Sequence, residues 1–93
     1  MISSNTYFEG NVKSLGYQSA TGASTLGVME AGTYEFATNK HETMNVIEGS
    51  MTVLLPESSN WENFKAGESY EIDANKTFQV KVSEQTSYLC QYK

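Results

Sequence analysis

Apolar residues recur at every second position along this chain, in short runs. Phe78, Val80 and Val82 alternate with Gln79, Lys81 and Ser83, which predicts a strand with one buried face. Met51, Val53 and Leu55 repeat the pattern, as do Tyr34 with Phe36, and Tyr88 with Cys90 and Tyr92. Further strands are predicted at Asn11–Tyr17, Ser24–Glu30, Thr43–Ile47, Trp61–Phe64 and Ser69–Ile72. Between the runs stand Ala31-Gly32, Glu48-Gly49-Ser50, Lys65-Ala66-Gly67 and Asp73-Ala74-Asn75-Lys76, all turn chemistry. Pro56, with no N–H for a ladder, ends the Met51–Leu55 run. Ser19–Ser24 and Glu57–Asn60 read as loops, and Asn39–Glu42 as a polar corner. No segment sustains a helical period. The pattern predicts an all-β fold, a single antiparallel barrel of roughly eight or more short strands.

Length and composition narrow this further. Ninety-three residues fill one core, so residues 1–93 are expected to be a single domain. Six lysines and no arginine stand against eleven carboxylates, a formal charge of −5. Such a surface repels nucleic acid and anionic membrane, so neither is expected as a partner. The missing arginine also removes the bidentate fork most used for phosphate. Cys90 is the one cysteine, which excludes an internal disulfide and a cysteine-based zinc site. In the strand Ser87–Tyr92 it reads as a buried thiol and not a nucleophile. The start MISSNTYFEG has neither a basic n-region nor an apolar run, so no secretory signal is expected and the cytoplasm is the default.

Candidate chemistry centres on Gly32–Pro56, which holds the lone histidine, the lone proline and the pair His41-Glu42. His41 beside Glu42 has the composition of an acid/base pair, but without a second histidine at ligand spacing a solvated turn is the simpler reading. Glu42, at the mouth of a strand, is placed to point inward. The loop Ser19–Thr25 offers Gly22 and four hydroxyls, enough for an anion-binding nest of backbone amides. Tyr34, Phe36, Trp61, Phe64, Tyr70, Phe78, Tyr88 and Tyr92 supply ring faces for a base or sugar. Filling a small core explains most of these rings equally well, Phe64 and Tyr70 above all.

Several longer stretches carry a resemblance. NTYFEGNVKSLGY at the start, LGVMEAGTYEFAT, ETMNVIEGSMTVLLP, WENFKAG and the ending TSYLCQY together resemble the small bacterial pyrimidine/purine nucleoside phosphorylases. The resemblance runs from about Asn5 to Tyr92 and implies a cupin-type, jelly-roll barrel. Glu42 and Gly49 keep the spacing with which cupins end their first motif, but Phe36, Ala37 and Thr38 stand where its histidines would be. The second motif would start at Gly67 and put its ligand histidine near Phe78. A cupin without these histidines is not expected to hold the usual iron or manganese, so no metal and no cofactor are expected.

The resemblance implies phosphorolysis: nucleoside and inorganic phosphate give free base and pentose 1-phosphate, with purines and pyrimidines both accepted. The chemistry needs phosphate beside the anomeric carbon, a counter-charge to an oxocarbenium-like sugar, and a proton or hydrogen bond for the departing base. Glu42 is the expected catalytic carboxylate. Phe36, Thr38, Phe78 and Tyr88 are expected to hold the nucleoside, and Thr21, Gly22, Ser24 and Thr25 the phosphate. Some members of that family carry an arginine in this loop, where the present chain reads SATGAST, so weak phosphate affinity is expected. The resemblance also implies a homodimer, with edge strands as one means of pairing. A cupin that binds a sugar, nucleoside or other small metabolite without turning it over is the alternative; a metal-dependent oxygenase fits less well.

Overall fold

The computed structural model describes residues 1–93. Ten strands occupy it: β1 Ser3–Tyr7, β2 Val12–Ser19, β3 Gly22–Met29, β4 Gly32–Ala37, β5 Glu42–Glu48, β6 Ser50–Leu54, β7 Trp61–Lys65, β8 Ser69–Ile72, β9 Thr77–Val82 and β10 Thr86–Tyr92. They form a six-stranded sheet, β1-β2-β3-β10-β5-β8, facing a four-stranded one, β4-β9-β6-β7. Every pairing is antiparallel.

The barrel expected from the pattern is not a closed one, because neither sheet pairs with the other's edge. Inward rings of Tyr34, Tyr70, Phe78 and Tyr88 are buried between the faces. Such rings suit the ~10 Å spacing of stacked sheets and not the ~4.8 Å of ladder-paired strands. The fold is therefore two sheets packed face to face.

Alternation along each strand builds the core. Val80, Val53, Met51, Met29 and Val12 are wholly buried, and Val46, Ile72 and Cys90 nearly so. Burying each such side chain contributes about 1.5–3 kcal/mol before entropy is counted. The chain passes from one sheet to the other at the tight turn of Gly49, whose φ is +89°. A Cβ there would stand 2.5 Å from Thr86 Oγ1, so both backbone conformation and space require glycine.

Two boundaries differ from expectation. Residues 19–24 are not a loop: β2 and β3 form a hairpin in register to Ser19↔Gly22, leaving Ala20 and Thr21 as the turn. β1 was unexpected, since SSNTY has no apolar alternation; it is an edge strand that pairs with β2 alone. After it, Phe8, Glu9 and Gly10 take positive φ values of 52°, 59° and 93°. Two non-glycine residues in that region cost about 1–3 kcal/mol each. Asn11 holds the bend, giving Phe8 O both its backbone N–H, at 3.1 Å, and its side-chain amide, at 2.9 Å.

Candidate functional site

At the end of the sandwich where β5 begins and β10 finishes, the core opens into a cavity of about 160 Å³. Its lining comes from both sheets. β4 and β9 supply Phe36, Ala37 and Phe78; β5 supplies Glu42 and Met44; β10 supplies Tyr88, Cys90 and Tyr92; β1, β2 and β3 add Tyr7, Ser14, Thr25 and Met29. Strand periodicity accounts for the set, since Glu42 with Met44 and Tyr88 with Cys90 and Tyr92 are residues of one face.

The cavity has two kinds of wall. On the four-stranded sheet, Phe36 and Phe78 stack with centroids 5.5 Å apart and planes at 29°. The six-stranded sheet brings the polar groups. Cys90 Sγ donates to Glu42 Oε1 at 3.5 Å, and the hydroxyls of Tyr92 and Thr25 lie 3.1 Å apart. Tyr88 owes its position to Gly27, where an added Cβ would come within 2.5 Å of the tyrosine ring.

Electrostatics set this wall apart. Desolvation raises the Glu42 carboxyl above its ordinary value, with the Cys90 hydrogen bond and the His41 charge pulling part of the way back. Burial, reinforced by the charge of Glu42, pushes the Cys90 thiol up to about 12. Burial likewise pushes the Tyr88 phenol up to about 12, and raises Tyr92. These groups are hydrogen-bond donors at neutral pH, and Glu42 is the only carboxylate among the lining residues. No lysine lines the cavity.

The expected site residues divide accordingly. Glu42, Phe36, Phe78, Tyr88 and Thr25 meet at the cavity. Thr38 lies outside it: its hydroxyl donates to Asp73 O at 2.7 Å and accepts from Lys76 N at 3.0 Å, locking the turn before β9. Thr21 and Gly22 sit at the hairpin, bonded to Ser19, whose hydroxyl is 3.0 Å from Thr21 Oγ1 and 3.2 Å from Gly22 O. Ser24 is buried and lies away from the cavity. β3 is flanked by β2 and β10, so its backbone amides serve the ladders and do not form a free nest.

His41 also has a different partner from the one its neighbour suggested. Its Nε2 lies 3.0 Å from Glu71 Oε1, not on Glu42. Trp61 stands away from the cavity, with Lys81 Nζ 3.9 Å from its ring centroid. Tyr7, Ser14 and Cys90 are lining residues not expected as site residues, and Tyr92 was expected only as one ring face among eight. The shared face of Tyr88, Cys90 and Tyr92 was a usable signal for Cys90; β1 carried none for Tyr7.

A search for relatives decides the family. The model of the pyrimidine/purine nucleoside phosphorylase family matches residues 2–92. The chain belongs to that family. A pyrimidine/purine nucleoside phosphorylase of Pseudoalteromonas atlantica is 55% identical over 92 residues, 99% of each chain. One of Psychromonas ingrahamii is 56% identical over 90 residues, 97% of this chain and 96% of its own. Among solved structures, a protein of unknown function from Vibrio parahaemolyticus superposes with a TM-score of 0.96 at 36% identity, covering 100% of this chain and 99% of its own. An RmlC-like cupin from Shewanella frigidimarina, 12% identical, superposes with a TM-score of 0.74 over 99% of this chain and 83% of its own, so the fold is that of cupins.

Cupins imply a metal, and the donor set can be tested against one. Of the lining residues, only Glu42 and Cys90 belong to the usual ligand types, and Phe78 stands near the position of the second motif's ligand histidine. No group of three or more His, Cys, Asp or Glu side chains gathers anywhere in the fold. A thiol held protonated by burial and a single carboxylate do not fit a divalent site of three or more ligands.

Proposed function

We propose that this chain catalyses phosphorolysis of purine and pyrimidine nucleosides in the cavity between its sheets, without a metal. The membership of the nucleoside phosphorylase family supports the reaction, and one observation supports the place: a desolvated carboxyl, Glu42, faces the same cavity as a stacked aromatic pair.

The reaction breaks the bond between C1′ and the base nitrogen and forms one from C1′ to a phosphate oxygen. Positive charge develops on the sugar as the base leaves. Glu42, as a partly desolvated carboxylate, stabilises that charge more than an exposed acid would. The Cys90 thiol holds Oε1 in place. The departing base takes a hydrogen bond or proton from a neutral donor, and the phenol of Tyr88, raised by burial, keeps its proton at neutral pH. Phe36, Phe78 and Tyr88 contact the nucleoside. Phosphate lies against the Thr25 and Tyr92 hydroxyls, which hydrogen-bond to it without supplying a positive charge.

The protein is proposed to act in the cytoplasm as a homodimer. The outer face of the six-stranded sheet leaves Leu15, Leu26 and Val28 about half exposed. Leu15, Leu26, Leu89 and Asn45 are neighbours in one row, and Lys13, Val28, Ser87 and Glu48 in the next. The second row carries a cation at one end and a carboxylate at the other. A twofold axis along the strands sets Lys13 over Glu48 of a second copy and Leu26 over its Leu89, a self-complementary match.

The test of function is base release. Pure protein is incubated with uridine or inosine, with and without phosphate, in chelator. Base release that requires phosphate and survives chelation is the expected result. A nucleoside-induced thermal shift with no release would instead identify a binding protein.

A further inference from the structure

The aromatic wall of the cavity does not stop at its mouth. From Phe78, buried, it passes to Phe36, half-buried, and on to Phe8, 41% exposed, whose ring meets Phe36 edge-on at 5.5 Å and Tyr34 at 5.0 Å. Tyr7, 47% exposed, lines the cavity from the adjoining position. Two adjacent aromatic rings thus stand beside the site, Tyr7 at the end of edge strand β1 and Phe8 in the bend that follows it.

We infer that Tyr7 and Phe8 are the platform on which the departing base stacks, outside the cavity that holds the pentose. This rests on the phosphorylase reading of the site. A cavity of about 160 Å³, close to the ~150 Å³ that holds one benzene ring, has no room for a base beside the pentose. Glu42 is inside, so the ring it must face, the pentose with its anomeric carbon, is inside as well. The base then projects to the mouth, where Phe36, Phe8 and Tyr7 meet it.

The backbone holds this platform still. Phe8, Glu9 and Gly10 in succession keep positive φ, and the Phe8 carbonyl is gripped twice by Asn11. A bulky aromatic with φ of 52° is an outlier that persists only when its surroundings impose it, and such outliers collect at binding sites. Stacking is indifferent to the pattern of donors and acceptors on a base edge, because every base has a π-face. A platform of rings outside a pentose-sized cavity accounts for a family that accepts purines and pyrimidines alike.

The test compares Phe8→Ala, Phe8→Leu and Phe8→Trp with the parent chain. It measures KM for inosine and uridine in phosphorolysis and KM for ribose 1-phosphate in the reverse reaction. The expected result is a nucleoside KM raised roughly tenfold in Phe8→Ala, the size of one lost base–aromatic stack, with inosine hit harder than uridine. Phe8→Leu, which keeps apolar bulk, behaves like Phe8→Ala if the ring face matters, and Phe8→Trp restores or tightens binding. KM for ribose 1-phosphate stays within about twofold. A nucleoside KM unchanged in both Phe8→Ala and Phe8→Leu, or an equal rise for ribose 1-phosphate, overturns the platform while leaving the phosphorylase reading intact. Absence of base release from the parent protein overturns both.

Discussion

Cys90 donates its thiol proton to Glu42 Oε1 across 3.5 Å, joining the last strand of the chain to the start of β5 at the floor of the cavity. The thiol is shifted in the direction that keeps the bond, and the bond offsets part of the upward shift of the acid. Burial and the nearby carboxylate hold the thiol protonated, and the thiol in turn favours the ionised form of an acid that desolvation opposes. The pair explains how a lone carboxylate stays oriented in a wall without any cation.

Glu42→Gln should reduce kcat by about 10²–10³-fold, the usual loss on removing one group aimed at developing charge. Turnover needs the carboxylate, so the rate rises with pH through a value above the ordinary one for glutamate, and this acid limb vanishes in the variant. Stability runs the other way. Glu42 binds its proton more tightly folded than unfolded, so its contribution falls as pH rises from the unfolded value through the raised one. Denaturant midpoints across that window should lose this slope in Glu42→Gln, with no loss of stability at neutral pH. A variant with near-parental turnover would remove Glu42 from the chemistry.

The thiol of Cys90 should resist alkylation. With its acidity pushed to about 12, the thiolate at pH 8 is rarer by roughly 10³-fold than for a free cysteine. Iodoacetamide labelling followed by mass spectrometry should be slow in the native protein and fast in denaturant. Cys90→Ala removes a donor to Glu42 and should move the acid limb of the rate profile to higher pH.

Gly27→Ala should act on the site through packing. The new Cβ has 2.5 Å to the ring of Tyr88, which must shift within the cavity wall. Overpacking of this kind costs about 1–3 kcal/mol. Denaturation should report that loss, and KM for nucleoside should rise with it; unchanged values for both would mean that the ring moves freely.

Phosphate binding should be weak. No lysine lines the cavity and the chain contains no arginine, so neutral hydroxyls carry the anion. KM for phosphate is expected at or above ~1 mM, the top of the usual range for substrates. A micromolar value would require a cationic group not present at this site.

Leu26→Glu should yield monomers. The leucine is 47% exposed at the centre of the outer face, and a carboxylate there would meet the apolar row of a second copy. Light scattering on the parent chain and the variant checks this, with Lys13→Glu paired with Glu48→Lys as the restoring exchange. A parent chain that is monomeric at high concentration would remove the proposed interface.

The strands of the core were legible because period-two alternation is a local signal. Phe78-Val80-Val82 and Met51-Val53 announce both their conformation and their buried face, and the polar corners between such runs mark where the chain reverses. Glu42 was legible through its spacing to Gly49, and Phe36, Phe78 and Tyr88 as inward rings. Thr38 shows the limit: proximity in sequence placed it near Glu42, but its hydroxyl is spent on Asp73 and Lys76, some 35 and 38 residues away along the chain.

What the amino-acid sequence determined alone was the kind of most elements, the facing of the strands with clean alternation, and the family. Tertiary structure decided the rest. It left the two sheets open, paired β3 with β10 so that Thr25 meets Tyr92 across 67 residues, and turned β1 inward at Tyr7. The physical reason is that alternation specifies which side of a strand is buried but not which strand lies beside it. Lateral order depends on long-range pairing and on rings that pack only once both sheets exist.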